Sequence, residues 1–293
     1  MTKRNTLLAS AIALAAMAVP AAAETKLTTS VYTASPNGFH VSSTLVAGEK
    51  EAVLIDGQFS LADAHRLVAM ILESKKTLTT VYVTHWHPDH YFGLVVIKQA
   101  FPKAKFVATP ESIKEIKKTW AAKVKQWSPV FGDLVPKNPI LPTALKTNTL
   151  TLEGQTLEIH PNVQGDSPDN SYVWIPSIKT VIAGDIVYRG VHPWTAETNG
   201  ETRKAWMKTL DELSALGPET VIAGHKDPKA KDDVASIKAT RDYLETFDAA
   251  VASSKSATEV QDKMKKKYGD LQLDVILQIG AGAQFPAAAP AKK

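Results

Sequence analysis

Val81-Tyr82-Val83-Thr84-His85-Trp86-His87-Pro88-Asp89-His90-Tyr91-Phe92-Gly93 decides how the rest of this chain is read. Val81 to Thr84 is β-prone and apolar, and four metal-ligating side chains follow it within six residues. In extended backbone, residues two apart project to the same side, so His85 and His87 can grip one ion. Pro88 and the apolar run Tyr91, Phe92, Leu94, Val95, Val96 and Ile97 mark a helix start. Asp89 and His90, at that start, diverge from the first pair and suit a second ion close by. Two ions sharing a water form a hydrolytic centre. A loop of solvated histidines is the plain alternative.

Outward from this stretch, the composition is that of a globular protein: 293 residues, 44% hydrophobic and 22% charged. The net charge of +4, with no basic stripe interleaved with aromatics, demands neither nucleic acid nor an anionic membrane. There are no cysteines, which removes disulfides, thiolate nucleophiles and Cys-ligated zinc. Any metal ligands are therefore nitrogen and oxygen.

Residues 1–23 read as a signal peptide: Lys3 and Arg4, an apolar stretch from Leu7 to Val19, then Ala21-Ala22-Ala23 before the cleavage point. An uncleaved anchor is the alternative. The mature protein is expected to be periplasmic or secreted, with no stable membrane association. Residues 24–285 are expected to form one domain, the C-terminal helices at 232–268 included, and the Ala- and Pro-rich residues 286–293 a disordered tail.

Within the domain, strands are expected at 27–34, 38–47 and 51–57, and a helix over Leu61 to Glu73. Asp56 ends the third strand and is either a support for the site or a turn carboxylate. After the motif come a helix to about Gln99, a strand at 104–108 and a Lys-rich helix from Pro110 to Trp127. Its Lys114, Lys117, Lys118, Lys123 and Lys125 read as a solvated face. The Pro-rich residues 128–147 read as a long loop beside the site, with Trp120, Trp127 and Phe131 as candidates for an apolar wall. A hairpin at 148–160, strands at 171–175 and 180–183, a helix at 201–216, a strand at 220–223 and helices at 232–250 and 256–268 complete the pattern. Pattern alone gives an α/β or α+β domain.

The motif, Asp185 at the end of its strand in Ala183-Gly184-Asp185, and Ala223-Gly224-His225 together resemble the metallo-β-lactamase-fold superfamily of metallohydrolases over roughly Thr29 to Pro228. The resemblance implies a four-layer αββα sandwich with its metal residues on loops along one edge. It implies His85 and His87 as first-site ligands, Asp89, His90 and His225 at the second site, and Asp185 as the bridging carboxylate. The family's first site commonly has a third His in a loop resembling Gly-His-Thr-Pro. Here the loop reads Gly165-Asp166-Ser167-Pro168. Asp166 is the leading replacement, since carboxylates ligate zinc. His160, Gln164 and the absence of a third protein ligand remain open. A carboxylate there makes the site harder and more negative, which weakens the preference for zinc over manganese or iron(II) and opposes ionisation of bound water.

The implied cofactors are two divalent ions, zinc first, with Mn2+ or Fe2+ as alternatives. The implied reaction is hydrolysis of an ester, lactone or amide in a small-molecule substrate by a metal-bridging hydroxide, with Asp89 orienting it. Tyr188, three residues after Asp185, has a spacing similar to that in acyl-homoserine-lactone lactonases, where a Tyr hydroxyl faces the substrate carbonyl. A packed tyrosine is the alternative. His192, Trp194 and Trp86 are candidates for the pocket. Competing functions are β-lactam hydrolysis, glyoxalase-II-like thioester hydrolysis, an iron-dependent redox reaction on the same fold, and a non-catalytic metal-binding role. The sequence leaves the oligomeric state open.

Overall fold

A computed structural model describes residues 26–285. The expectations for residues 1–23 and 286–293 lie outside it. No helix among the described residues is long and apolar enough to cross a membrane.

The first half of the chain runs β1 (Thr28–Thr33), β2 (Ser42–Ala47), β3 (Glu51–Ile55), α1 (Leu61–Glu73), β4 (Thr77–Val83), α2 (Pro88–Tyr91), α3 (Leu94–Ala100), β5 (Lys105–Ala108), α4 (Pro110–Phe131) and β6 (Thr143–Ala144). Its six strands lie in sequence order, β1 to β3 antiparallel and β3 to β6 parallel. The second half runs β7 (Thr149–Leu152), β8 (Gln155–Val163), β9 (Asn170–Ile175), β10 (Thr180–Ile182), β11 (Tyr188–Arg189), α5 (Gly200–Ala215), β12 (Thr220–Ile222), β13 (His225–Lys226), α6 (Ala235–Ala252), α7 (Ala257–Tyr268) and α8 (Asp274–Gln284). Five of its strands form a sheet in the order β12-β10-β9-β8-β7, and β11 pairs with β13.

Alternation along the strands explains the layers, because successive side chains leave opposite faces of a sheet. On β3, Val53 and Ile55 face the second sheet, and so does Tyr82 on β4; they meet Leu157, Ile159, Val173, Ile175 and Ile182. Ala52, Leu54, Val81 and Val83 instead pack with Leu67 and Ile71 of α1 and Ile97 of α3. On β9 the same rule sends Tyr172 and Trp174 outward to a layer containing Trp206 and Leu210 of α5 and Leu244 of α6. Two sheets thus share one apolar seam with helices on both outer faces: the αββα sandwich.

Three features depart from the sequence reading. The helix after the motif is broken into α2 and α3 at Gly93, where a side chain would run into the Gly57 carbonyl. Two backbone bonds fix that approach, Gly57 N–H to His90 O at 2.7 Å and Gly93 N–H to Gln58 O at 2.8 Å. Helix α4 extends past Trp127 to Phe131, through Pro129, because Trp127 and Phe131 are one helical turn apart and both pack on Phe39 and Phe59. Finally, α8 was not expected. It is short and holds Gly280 and Gly282, but Leu277 and Ala281 dock it on α6 and α7.

Candidate metal centre and its cleft

Loops following β4, β8, β10 and β12 meet at one edge of the sandwich. They bring together all seven residues of the expected ligand set. His85, His87, Asp166 and Asp185 form one group, and Asp89, His90, Asp185 and His225 form another, with the donor atoms of each group within 4.8 Å of one another. Asp185 belongs to both. Its Oδ2 lies 3.6 Å from His85 Nε2 and 3.2 Å from His225 Nε2, and its Oδ1 lies 3.1 Å from His90 Nε2. Asp166 Oδ2 is 3.1 Å from His87 Nδ1, and Asp89 Oδ2 is 3.1 Å from His225 Nε2. Ligands about 2 Å from a tetrahedral ion sit roughly 3.3 Å apart, so this spacing suits one ion per group.

The loop at 165–169 puts Asp166, not His160, beside the first pair of histidines. Asp166 is fully buried; its Oδ1 accepts from Asn170 Nδ2 at 3.2 Å, and its backbone N–H donates to Asp185 O at 3.2 Å. His160 lies elsewhere, stacked flat on Tyr172 with ring centroids 4.5 Å apart. Gln164 turns its amide to the Gly165 carbonyl. With Asp166 in place, each group holds two imidazoles, one carboxylate of its own and a share of Asp185.

Each histidine is also held from behind. His90 Nδ1 meets Asp56 Oδ2 at 2.8 Å, which makes Asp56 a support for the site. His85 Nδ1 meets Thr84 Oγ1 at 3.1 Å, and that hydroxyl donates to Asp56 Oδ2 at 2.9 Å. His225 Nδ1 donates to the Phe39 carbonyl at 2.6 Å. His87 Nε2 meets Glu197 Oε2 at 3.2 Å. An acceptor behind each ring fixes the outer nitrogen as the N–H and turns the inner lone pair towards the centre. Glu197 escaped the sequence reading, since a lone carboxylate in a loop carries no pattern. Lys123 was read as solvated, but its side chain is only 19% exposed and reaches Glu197 at 3.5 Å.

The electrostatics call for a cation. His85 Nε2, His90 Nε2 and Asp185 Oδ1 are buried without a hydrogen-bond partner, which costs free energy unless something binds there. Burial disfavours charge on His87 and His90, but Asp166 acts on the first, and Asp185 and Asp56 on the second, and these carboxylates hold both rings well above the usual histidine range. His225 is held at about 10, burial again being outweighed, here chiefly by Asp185. The carboxylates therefore attract positive charge strongly enough to retain protons, and a metal ion would displace those protons. The donor set, the spacing and the orphaned atoms all fit divalent metal.

Tyr188 is buried and lies flat on His225, with centroids 5.2 Å apart. Its hydroxyl donates to Asp185 Oδ2 at 3.0 Å and Asp166 Oδ2 at 3.2 Å. Burial first, then Asp166 and Asp185, push its pKa well up, so it stays protonated. Tyr188 is thus both a packed side chain and a donor at the centre. A cleft opens over it, lined by His87, Asp89, Asp166, Asp185 and His225 on the metal side and by Phe39, Trp127, His192 and Trp194 on the other. Trp120 and Phe131 pack against the first core and do not line the cleft.

Comparisons with known proteins agree with this geometry. The family model of the metallo-beta-lactamase superfamily matches residues 36–225. A metallo-beta-lactamase type 2 from Bacteroides fragilis is 25% identical over 186 residues, 62% of this chain and 68% of that protein. A metallo-beta-lactamase family protein from Thermus thermophilus superposes with a TM-score of 0.61 at 19% identity, covering 88% of this chain and 91% of that one. A double mutant of a sec-alkyl sulfatase gives 0.59 at 16% identity, covering 83% of this chain and 47% of that one. At such identities the two structures show a shared fold and nothing of the reaction.

Proposed function

The chain belongs to the metallo-beta-lactamase superfamily, and from that premise we propose that it is a metal-dependent hydrolase of a small-molecule ester, lactone or amide. Members of the superfamily are typically hydrolytic and usually bind divalent metals such as zinc. The observation that carries the reading is the pair of four-donor groups sharing Asp185, built from buried side chains save the partly exposed Asp89, and both open to one cleft. His85, His87, Asp166 and Asp185 would hold one ion, and Asp89, His90, Asp185 and His225 the other. Bound there, two divalent ions supply Lewis acidity to a carbonyl oxygen and lower the pKa of water.

The protein's own groups do the rest. Asp89 is the least buried carboxylate of the two donor groups, its side chain 13% exposed, and it would orient an attacking water as well as help hold metal. Tyr188, held protonated, offers its hydroxyl to oxygen on which negative charge develops. Thr84, Asp56, Glu197 and the Phe39 carbonyl keep the imidazoles oriented. Export also belongs to the proposal, supported by the basic-apolar-alanine pattern of residues 1–23.

The test is metal-dependent turnover. The chain is loaded with zinc or manganese and offered p-nitrophenyl acetate, γ-butyrolactone, nitrocefin and hexyl sulfate. Ester or lactone cleavage that a chelator abolishes and added metal restores is expected. Cleavage of nitrocefin alone would replace the reading with β-lactam hydrolysis, the activity named for the Bacteroides relative. No turnover by the metal-loaded chain would leave a binding role.

A further inference from the structure

Glu197 stands behind His87, and what holds Glu197 there is a helix far along the chain. The Glu197 carboxylate meets His87 Nε2 at 3.2 Å and Lys123 Nζ at 3.5 Å. Ala196 and Glu197 are the central residues of a turn that Thr198 closes. The Thr198 N–H donates to Thr195 O at 3.2 Å, and the Thr198 hydroxyl donates to the same carbonyl at 2.8 Å. A carboxylate on a free turn must be ordered each time it engages an imidazole, which weakens the bond; a turn held in place removes that cost.

The grip on this turn comes from α8. Gln284, the last residue of that helix, donates from Nε2 to Thr195 O at 3.3 Å and to Thr198 O at 3.2 Å, so one side-chain amide spans both ends of the turn. Its Oε1 accepts from Arg203 Nη1 at 3.1 Å, and the same Nη1 donates to the Thr198 hydroxyl at 3.0 Å. Two carbonyls on one side and a guanidinium on the other fix which end of the amide is which. Arg203, on α5, is 2% exposed; its Nε donates to Asp248 Oδ1 of α6 at 2.6 Å, and its guanidinium carbon lies 5.1 Å from the Phe247 ring. A buried guanidinium persists only when paired and hydrogen-bonded, and here the pairing ties α5, α6 and α8 to one turn. Gly280 lies one helical turn before Gln284, on the same face, and a side chain there would run into Thr195 Oγ1. That close approach lets the Gln284 amide reach both carbonyls.

We propose that Gln284 and Arg203 are positioning residues of the first metal group: they hold the turn from Thr195 to Thr198 so that Glu197 keeps its bond to His87, and through that bond they set how tightly His85, His87, Asp166 and Asp185 hold an ion. The inference rests on the metal centre of the hydrolase reading and adds the element that tunes one half of it. The second group, Asp89, His90, Asp185 and His225, has no link to this turn through Glu197, so the effect is confined to the first.

The experiment measures zinc affinity by competition with a chromophoric chelator in the parent chain, Gln284→Met, Glu197→Ala and the double variant. Methionine keeps the length of the side chain and removes its donors. Gln284→Met should weaken the first site about three- to tenfold, less than the roughly 10–100-fold expected for loss of an outer partner outright. In the Glu197→Ala background it should have no further effect, because both changes act through one bond. Thr198→Val, which takes the hydroxyl away from Arg203, should repeat the pattern and stands in if Gln284→Met does not fold. Asp166→Ala, left with the second group alone, is the control, and its affinity should not respond to Gln284→Met. An unchanged first site, an equal loss with and without Glu197, or a matching loss in the Asp166→Ala control overturns the inference. A parent chain that binds no zinc overturns it together with the hydrolase reading. Two bound ions and the expected coupling, without turnover of any ester, lactone or amide, would defeat the hydrolase reading and leave the positioning role standing.

Discussion

Glu197 and Asp166 meet opposite edges of the same imidazole: Glu197 Oε2 lies 3.2 Å from His87 Nε2, and Asp166 Oδ2 lies 3.1 Å from Nδ1. Burial works against charge on Glu197, yet His87 and Lys123 hold its pKa at about 2, so it is ionised at neutral pH. A carboxylate behind a ligating ring raises its basicity and fixes its tautomer. Glu197→Ala is therefore expected to lower affinity at the first site about 10–100-fold. Competition with a chromophoric chelator measures this, and unchanged affinity would show that Glu197 only packs.

Asp166 stands where the family commonly has histidine. Its replacement by alanine removes one of four donors from the first group and none from the second. Elemental analysis should show about two ions per chain falling to about one. Two ions retained in Asp166→Ala would remove Asp166 from the ligand set.

His192 sets an acid limit on stability. Burial pushes its pKa down to about 4, with Lys265 of α7 adding to the effect and Asp274 of α8 opposing it, while Tyr243 of α6 faces its other nitrogen. The unfolded chain, with an ordinary histidine near pH 6.5, binds the extra proton first. The contribution is thus fully present above about pH 6.5 and is lost as pH falls towards 4. The urea midpoint of the parent relative to His192→Gln should decline across that window. A constant difference would contradict the assignment.

Gly224 allows the chain to pass directly against the bridging carboxylate. A side chain there would run into Asp185 Oδ1 and the backbone of Gly184. Gly224→Ala should cost about 2–3 kcal/mol and lower metal content together with the melting temperature, because relief of the clash must move Asp185. Calorimetry with and without chelator separates the two losses.

The site was more legible than its surroundings. Ligand types at fixed spacing around His85 and at Asp185 and His225 can be read locally, and so could the alternation that builds the seam of Val53, Ile55 and Val173. Glu197, Lys123 and the carbonyl of Phe39 act through contacts between residues far apart in sequence: Glu197 is 74 positions from Lys123, and His225 is 186 from Phe39. No local pattern encodes such pairs. Helix α8 was missed because two glycines lower its propensity, and only docking through Leu277 and Ala281 makes it helical. The Pro-rich segment lost its first residues to α4 for a similar reason, aromatic packing overriding Pro129.

Asp185 gives the two halves of the sandwich a common fastener. His85, His87, Asp89 and His90 belong to the first half, and Asp166, Asp185 and His225 to the second. Neither half alone holds a complete donor group. A complete donor group forms only where the halves meet, so metal held there would act as a clasp between them. In a chain without cysteine such ions would take the place of a covalent cross-link, one that a chelator would undo and a pulse of metal restore.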